Sequence, residues 1–489
     1  MSNPTTAVRT RFAPSPTGYV HIGSLRTALF CWLWARHNGG TFVLRIEDTD
    51  RARLVPGAVD QLKNALHLMG LDWDEGPDVG GPYGPYVQSE RLPIYQAHAD
   101  RLLASGHFYK CWCDKKNHAE IEADDATPVQ YDGHCRRLSE EEKAELEASG
   151  KPYTLRLAVP RHAHTVFHDH LRKKITFKNC TLADPIMMKS DGYPMYNFAV
   201  VVDDHEMKIT HVLRGEEFVS STPYHAMLCD LLGFERPVWV HLPLVLGSDG
   251  EKLSKRNGDV ALDWFLDQGY LPEGLINILA LTGWGWSKGH VVTTLDELVG
   301  AFTIDRILKA SAKFDAGKLD SFNRQHIRAL SPAEFVKRLT PFLVKAGFVA
   351  ESLTAEQETM MLGVAPLVQK RVKKVLGEEE VIDYVRPFFV APSAITVGVL
   401  LDAQAPEIVA AGKAVTDALA ALPDFDHKSI EECLRQVGVD TGLGTALFTW
   451  PRIAITGTTN ALPLFESLSL LGKQESLARL TSAINARRG

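Results

Sequence analysis

His21 lies in the stretch Pro14-Ser-Pro-Thr-Gly18 to His21-Ile-Gly-Ser24, where a turn stiffened by two prolines runs straight into a helical pattern. Pro14 and Pro16 fix φ and remove two backbone donors, whereas Gly18 and Gly23 let backbone come close to a ligand. A helix opening after Gly23, with Ser24 as its N-cap, would aim its first amides and positive dipole end back at this turn. That is an anion site of phosphate size, although a purely structural turn uses the same residues. A second stretch, Gly247-Ser-Asp-Gly-Glu-Lys-Leu-Ser-Lys-Arg-Asn257, sets Lys252, Lys255 and Arg256 on a glycine-bearing loop. Such a loop can close over a polyphosphate, or it can be an exposed charged turn. Cys111-Trp-Cys113 and Tyr131-Asp-Gly-His-Cys135 gather three thiols, which fits a tetrahedral structural zinc; free thiols are the other reading.

The elements that must carry these residues follow from periodicity. Val8 to Ala13 alternates as a strand, Leu25, Ala28, Leu29 and Trp32 share one helical face, and Thr41 to Ile46 reads as the next strand. The unit is βαβ, whose parallel strands place ligands at their carboxyl ends. Apolar runs such as Val238 to Leu246 continue the α/β pattern to about residue 325. Beyond it strand patterns vanish: Pro332 to Phe348, Ala355 to Leu376 and Gly412 to Leu422 predict helices, with Pro392, Pro406 and Pro423 in the loops. Asp114 to Pro128 and Ser139 to Gly150 are polar, helix-prone and expected to be exposed.

A chain of 489 residues exceeds one ordinary core and predicts about three domains. With 45% hydrophobic and 23% charged residues it has a soluble composition, no apolar run reaches a membrane span, and Met1 to Thr10 lacks a signal-peptide pattern. A cytoplasmic location without membrane partners is expected. The seven cysteines, odd in number and unevenly placed, argue against a disulfide framework. The net charge of −7 offers no support for nucleic-acid binding from bulk charge. Local patches would have to supply it: Arg172-Lys-Lys174 with Lys178, or Lys370-Arg371 with Lys373-Lys374, each of which taken alone reads as a solvated face.

Arg11-Phe-Ala-Pro-Ser-Pro-Thr-Gly18 with His21-Ile-Gly-Ser24 resembles the signature of bacterial glutamyl-tRNA synthetases. Its second part is similar to the HIGH motif of class I aminoacyl-tRNA synthetases, with Ser24 in place of the final His, as is typical of the glutamate enzymes. The resemblance runs on through Arg45-Ile-Glu-Asp-Thr-Asp50, Asp74 to Gly81, Gln88-Ser-Glu-Arg91, Lys189 to Pro194, Val202-Asp-Asp-His205 and Val212-Leu-Arg-Gly-Glu-Glu217. Lys252-Leu-Ser-Lys-Arg256 resembles the KMSKS loop. After residue 330 only helical character and fragments such as Leu470-Leu-Gly-Lys473 look familiar.

The resemblance implies a two-step ligase of protein biosynthesis: glutamate attacks the α-phosphate of ATP, giving glutamyl-adenylate and pyrophosphate, and the terminal ribose of tRNA-Glu then takes the glutamyl group. A non-discriminating form also charging tRNA-Gln is the alternative. By the same resemblance His21, Lys252 and Lys255 are catalytic, and His21, Gly23, Glu217 and Lys255 bind ATP, with Mg²⁺ held by phosphates and water. Arg11 and Arg214 hold glutamate carboxylates, Ser15 and Tyr196 supply hydrogen bonds, and Glu47 faces the ammonium. Arg11 has a structural alternative as a core ion pair with Glu47 or Asp48. For zinc, Cys111, Cys113 and Cys135 are joined by Tyr131, as in the glutamyl-queuosine tRNA synthetases, with His134 in reserve; Arg137 stands where many relatives have a histidine.

The implied fold is an α/β Rossmann-type catalytic domain with an inserted acceptor-binding module, followed by an all-α anticodon-binding region. Residues 1–110 and 191–245 form the halves of the catalytic domain, 111–190 the insertion with its candidate zinc site, 246–325 a connecting region with the KMSKS-like loop, and 326–489 the anticodon-binding region. Base stacking there is sought at Lys370 to Lys374 and at Trp450 with Arg452. The chain is expected to be a monomer. Four rivals stand beside this reading. Glutaminyl-tRNA synthetase has Pro-Pro-Glu-Pro-Asn-Gly where this chain has Ala13 to Gly18; the queuosine-modifying relative ends after the catalytic core; a dinucleotide-cofactor nucleotidyltransferase is much shorter; and an inactive tRNA-binding regulator would not need His21, Lys255 and Arg214.

Overall fold

Arg9–Phe12 forms strand β1 beside β2 (Thr41–Leu44) in parallel register, Arg9 opposite Thr41 and Phe12 opposite Leu44, with Thr10, Arg11 and Phe12 all buried, as in a strand covered on both faces. Between them runs helix α1 (Ile22–His37), whose Leu25, Ala28 and Leu29 are buried and whose last turn carries Arg36 and His37 against the negative end of the dipole. This is the βαβ unit expected from the sequence. The computed structural model describes residues 7–18, 20–113, 131–247, 250–251, 261–286 and 293–486.

The remaining strands are β3 (Phe108–Cys111), β4 (Thr154–Leu157), β5 (His164–Asp169), β6 (Lys173–Lys178), β7 (Ile186–Met188), β8 (His211–Gly215), β9 (Val238–Leu242), β10 (Val245–Leu246) and β11 (Ala312–Lys313). Parallel β8 and β9 continue the βαβ unit, with the Thr210 amide donating to Arg9 O at 3.0 Å just before β8. The antiparallel β5–β6 hairpin adds to β9 at Asp169 opposite Trp239. Antiparallel β3, β4 and β7 form a separate sheet. Of helices α2 to α6 (Ala58–Leu68, Leu92–Ala104, Glu140–Ala148, Tyr196–Glu206 and Thr222–Leu232), α3, α5 and α6 share its core among the described residues, contributing Tyr95, Phe198 and Leu228.

The chain divides into two units, Met1–Trp264 with Ile276–Asp315, and Phe265–Leu275 with Ala316–Gly489. From residue 316 onward the described elements are all helical. Ser331 caps Pro332–Lys345 and Thr354 forms a capping box with Gln357 at the start of Ala355–Gln369. The first helix ends three residues before the expected Phe348, because Gly347 turns left-handed at φ 78° and the Phe348 amide folds back onto Leu343 O. The second ends at Gln369 rather than Leu376. Val372 and Leu376 continue the apolar spacing because they are buried in the core, without being helical.

Candidate active site

His21 ends the proline turn as the N-cap of α1, its Nδ1 accepting the Ser24 amide at 3.1 Å. The expected N-cap, Ser24, sits one turn inside and donates its hydroxyl to His21 O at 2.7 Å. The imidazole takes the orphan amide that a serine cap would have taken. Gly23 makes room for it, since a Cβ there would lie 3.1 Å from Nδ1 and 3.2 Å from Cε1 of His21. Ser15 is exposed in the turn, and the next carbonyls are tied down: Pro14 O accepts the Glu47 amide and Pro16 O that of Val55.

At the carboxyl ends of β1, β2 and β8 stand Arg11, Glu47 and Arg214. Arg11 donates through Nε and Nη2 to both oxygens of Asp204, at 3.0 and 3.3 Å. The expected core pairing with Glu47 or Asp48 is not the one formed: Asp48 accepts from Ser89, and Glu47 accepts from Arg45 at 3.2 Å. Helix α5 carries Asp203 and Asp204 inward, where Arg45 bonds Asp204 at 2.9 Å, and Arg91, Gln88 and Tyr95 saturate Asp203. Burial opposes ionisation of Asp204, but the two guanidiniums hold its carboxyl below the usual range. Glu47 is pushed up to about 7 by burial, against the pull of Arg45 and Arg11.

Arg214 is a wholly buried guanidinium held by uncharged groups. Its Nε donates to His241 Nε2 at 3.2 Å, Nη2 to Thr222 Oγ1 at 2.8 Å and His225 Nδ1 at 3.0 Å, and Nη1 to Tyr196 Oη at 3.4 Å. Phe218 covers it at 5.3 Å. Burial lowers the pKa of Arg214, and no described carboxylate forms an ion pair with it. An unneutralised cation out of water is costly unless an anion meets it. Glu217, exposed after β8, folds over Gly215, whose missing side chain makes this possible: a Cβ there would lie 2.0 Å from Glu217 Oε2.

Lys252, Lys255 and Arg256 lie outside the described residues. The structure therefore brings together Arg11, Glu47, Tyr196 and Arg214, each felt electrostatically by another of the set. Sequence reasoning missed Asp204, Thr222, His225, His241 and Asp169. The doublet Asp203-Asp204 amid apolar residues was a usable signal, whereas a histidine inside Thr222–Leu232 gives none.

In the second candidate site, the Sγ atoms of Cys111, Cys113 and Cys135 all lie within 4.8 Å of one another, and those of Cys113 and Cys135 are 3.4 Å apart. A tetrahedral zinc with ~2.3 Å bonds needs sulfurs about 3.8 Å apart, so the donors fit. Tyr131 Oη is 3.5 Å from Cys111 Sγ and accepts the Cys135 amide at 3.0 Å, while His134 is exposed and its ring is outside the cluster. Arg156 places Nε 3.3 Å from Cys111 Sγ and stacks 3.8 Å from the Tyr131 ring centre. Burial resists ionisation of Cys111, yet hydrogen bonds from Tyr131 and Arg156 bring its thiol below the ordinary value.

The basic patches are partly spent. Arg172 bonds Glu216 and Lys173 donates to His170 O, while Lys174 and Lys178 are exposed on β6. Lys373 and Lys374 pair with Glu380 and Asp320. Trp450 is not available for base stacking: it is 1% exposed, packed in the helical core with Gly412 against its indole.

The family model for the catalytic domain of class I tRNA synthetases (E and Q) matches residues 7–321, and the model for an anticodon binding domain matches 334–484. The chain belongs to the class I tRNA synthetases of this E and Q group. It is 44% identical to the glutamate–tRNA ligase of Herpetosiphon aurantiacus, over 99% of both chains, and 42% identical to that of Roseiflexus castenholzii, over 98% of this chain and 96% of the relative. The crystal structure of a glutamate tRNA ligase from Elizabethkingia meningosepticum in complex with its amino acid matches with a TM-score of 0.87 at 33% identity, over 98% of this chain and 99% of that one.

Proposed function

We infer that this chain catalyses the ATP-dependent ligation of L-glutamate to tRNA-Glu through glutamyl-adenylate, releasing pyrophosphate and AMP. The observation that carries this is the end-to-end match, over 99% of both chains, to a glutamate–tRNA ligase. The reaction is two displacements with crowded anionic transition states, which positioning and fixed positive charge accelerate. Arg214 takes a substrate carboxylate, supported by its burial without a counter-ion; Arg11, already shared with Asp204, adds a weaker cationic edge. Tyr196 and Ser15 donate to the same ligand and Glu47 receives its ammonium. His21 and the first amides of α1 meet the ATP phosphates with Gly23, and Glu217 meets the nucleotide. Lys255 and Lys252 draw off the pyrophosphate. Mg²⁺ travels with ATP, held by its phosphates and water.

Cys111, Cys113, Cys135 and Tyr131 hold a structural zinc, which when bound closes the inserted module and supplies no chemistry to the reaction. The enzyme acts as a cytoplasmic monomer; no helix among the described residues is long and apolar enough to cross a membrane. Incubating the protein with ATP, Mg²⁺, labelled glutamate and purified tRNA-Glu or tRNA-Gln tests the reading. Acid-precipitable, alkali-labile label on tRNA-Glu alone is expected. Label on neither RNA would overturn it.

A further inference from the structure

The surroundings of Arg214 contain two histidines whose chemistry is dictated by their neighbours. A guanidinium has five N–H donors and no acceptor, so each nitrogen it touches must present a lone pair. His225 accepts from Nη2 at Nδ1, and its Nε2 lies 2.9 Å from Asn197 Oδ1, which requires the proton on Nε2. His241 is the reverse: it gives its Nδ1 proton to Asp169 Oδ2 at 2.7 Å, and its Nε2 lone pair faces Arg214 Nε at 3.2 Å and the Thr222 hydroxyl at 3.0 Å. Asp169 is itself locked, receiving the amides of Leu171, Arg172 and His241. Both rings are buried, and burial together with the Arg214 charge keeps them below the ordinary imidazole range. With Thr222 and Tyr196, four of the five donors of Arg214 are engaged, and the fifth, on Nη1, has no described partner.

We propose that His225 and His241 are positioning residues for glutamate: as neutral acceptors of opposite tautomer they clamp Arg214 from two sides and leave its Nη1 edge, beside Tyr196, to the substrate carboxylate. The proposal rests on the assignment of Arg214 to that carboxylate. Its chemistry is specific, because an imidazolium at either position would set a second cation against Arg214 and remove the acceptor at once. Asn197 on α5 and Asp169 on β5 act one step further out, each selecting one ring nitrogen for the proton.

The substitutions that test this keep or remove one lone pair. Asparagine at 225 can set Oδ1 where Nδ1 stood, and glutamine at 241 can set Oε1 where Nε2 stood, whereas leucine at either position leaves a buried Arg214 donor unmet. In tRNA-Glu charging, His225→Leu and His241→Leu are expected to raise the KM for glutamate about ten- to hundredfold. The KM for ATP should stay within about twofold, and His225→Asn and His241→Gln should restore the glutamate KM to within about threefold. Equal loss in the leucine and amide variants, or equal shifts in the two KM values, would overturn the proposal. Should a leucine variant fail to fold by thermal melting, ¹⁵N-histidine spectra of the unmodified protein decide: a neutral Nε2–H ring at His225 and a neutral Nδ1–H ring at His241 are required, and one shared tautomer or an imidazolium refutes the clamp. Arg214→Gln separates the two claims. If it raises the glutamate KM while the histidine variants do not, the carboxylate assignment stands and the clamp falls.

Discussion

Glu47 and Asp204 are both buried carboxylates beside Arg45, yet they titrate in opposite directions. Asp204 is gripped by two guanidiniums, while Glu47 has one contact of 3.2 Å and the full cost of burial. With Glu47 near 7, the free enzyme carries it largely protonated in mild acid, and a substrate ammonium would favour the ionised form. The KM for glutamate is therefore expected to fall roughly tenfold between about pH 6 and pH 8, and Glu47→Gln should flatten that profile at a raised KM. The same shift has a sign for stability: the folded group holds its proton between 4.5 and about 7 where the unfolded chain has lost it, so its contribution falls as pH rises through that window. Asp203 answers a different question. It binds Arg91, Gln88 and Tyr95 at zero exposure, so Asp203→Ala strands a buried cation and should cost about 3–5 kcal/mol in a denaturant titration.

Helix starts show how far element-level reasoning carries. The proline turn followed by α1 was legible from residue types, but the cap was placed on Ser24, because serine is the commoner cap and imidazole caps are decided by side-chain direction. Gly23→Ala tests what the absent side chain does. Alanine suits a helix, so melting should hold or rise slightly, while the displaced His21 ring should raise the KM for ATP about three- to tenfold. The cysteine module is a second element, and the zinc proposed for it makes a prediction of its own. Metal analysis after dialysis is expected to give about one zinc per chain, falling to near zero in Cys135→Ser with a lower melting temperature; a zinc-free native protein would remove the site.

At the scale of the whole molecule, the two units are not consecutive in sequence: residues 265–275 belong with 316–489. Leu271 is buried with Ile327 and Phe335, and its amide donates to Asn323 Oδ1 at 2.7 Å. A fragment ending at residue 315 is therefore expected to expose Leu271 and the Asn323-bonded turn, and to aggregate or melt earlier than the full chain. A chain cut there that melts as the full protein does would show that this strand of sequence does not need its distant partners.

What the sequence determined by itself was local in kind: the βαβ start, the positions of the glycines and prolines, the helical character beyond about 325, which the structure begins at 316, and the spacing of three cysteines, because periodicity, turn chemistry and short spacing act over a few residues. Tertiary structure alone decided who neutralises whom. Arg11 meets Asp204 across 193 residues and Arg45 meets it across 159. His225 and His241 reach Arg214 from a helix and a strand that no spacing rule connects, and Trp450 turns from a candidate base stacker into core. Partner choice among buried charges depends on which side chains share a low-dielectric space, and that is a property of the packed chain.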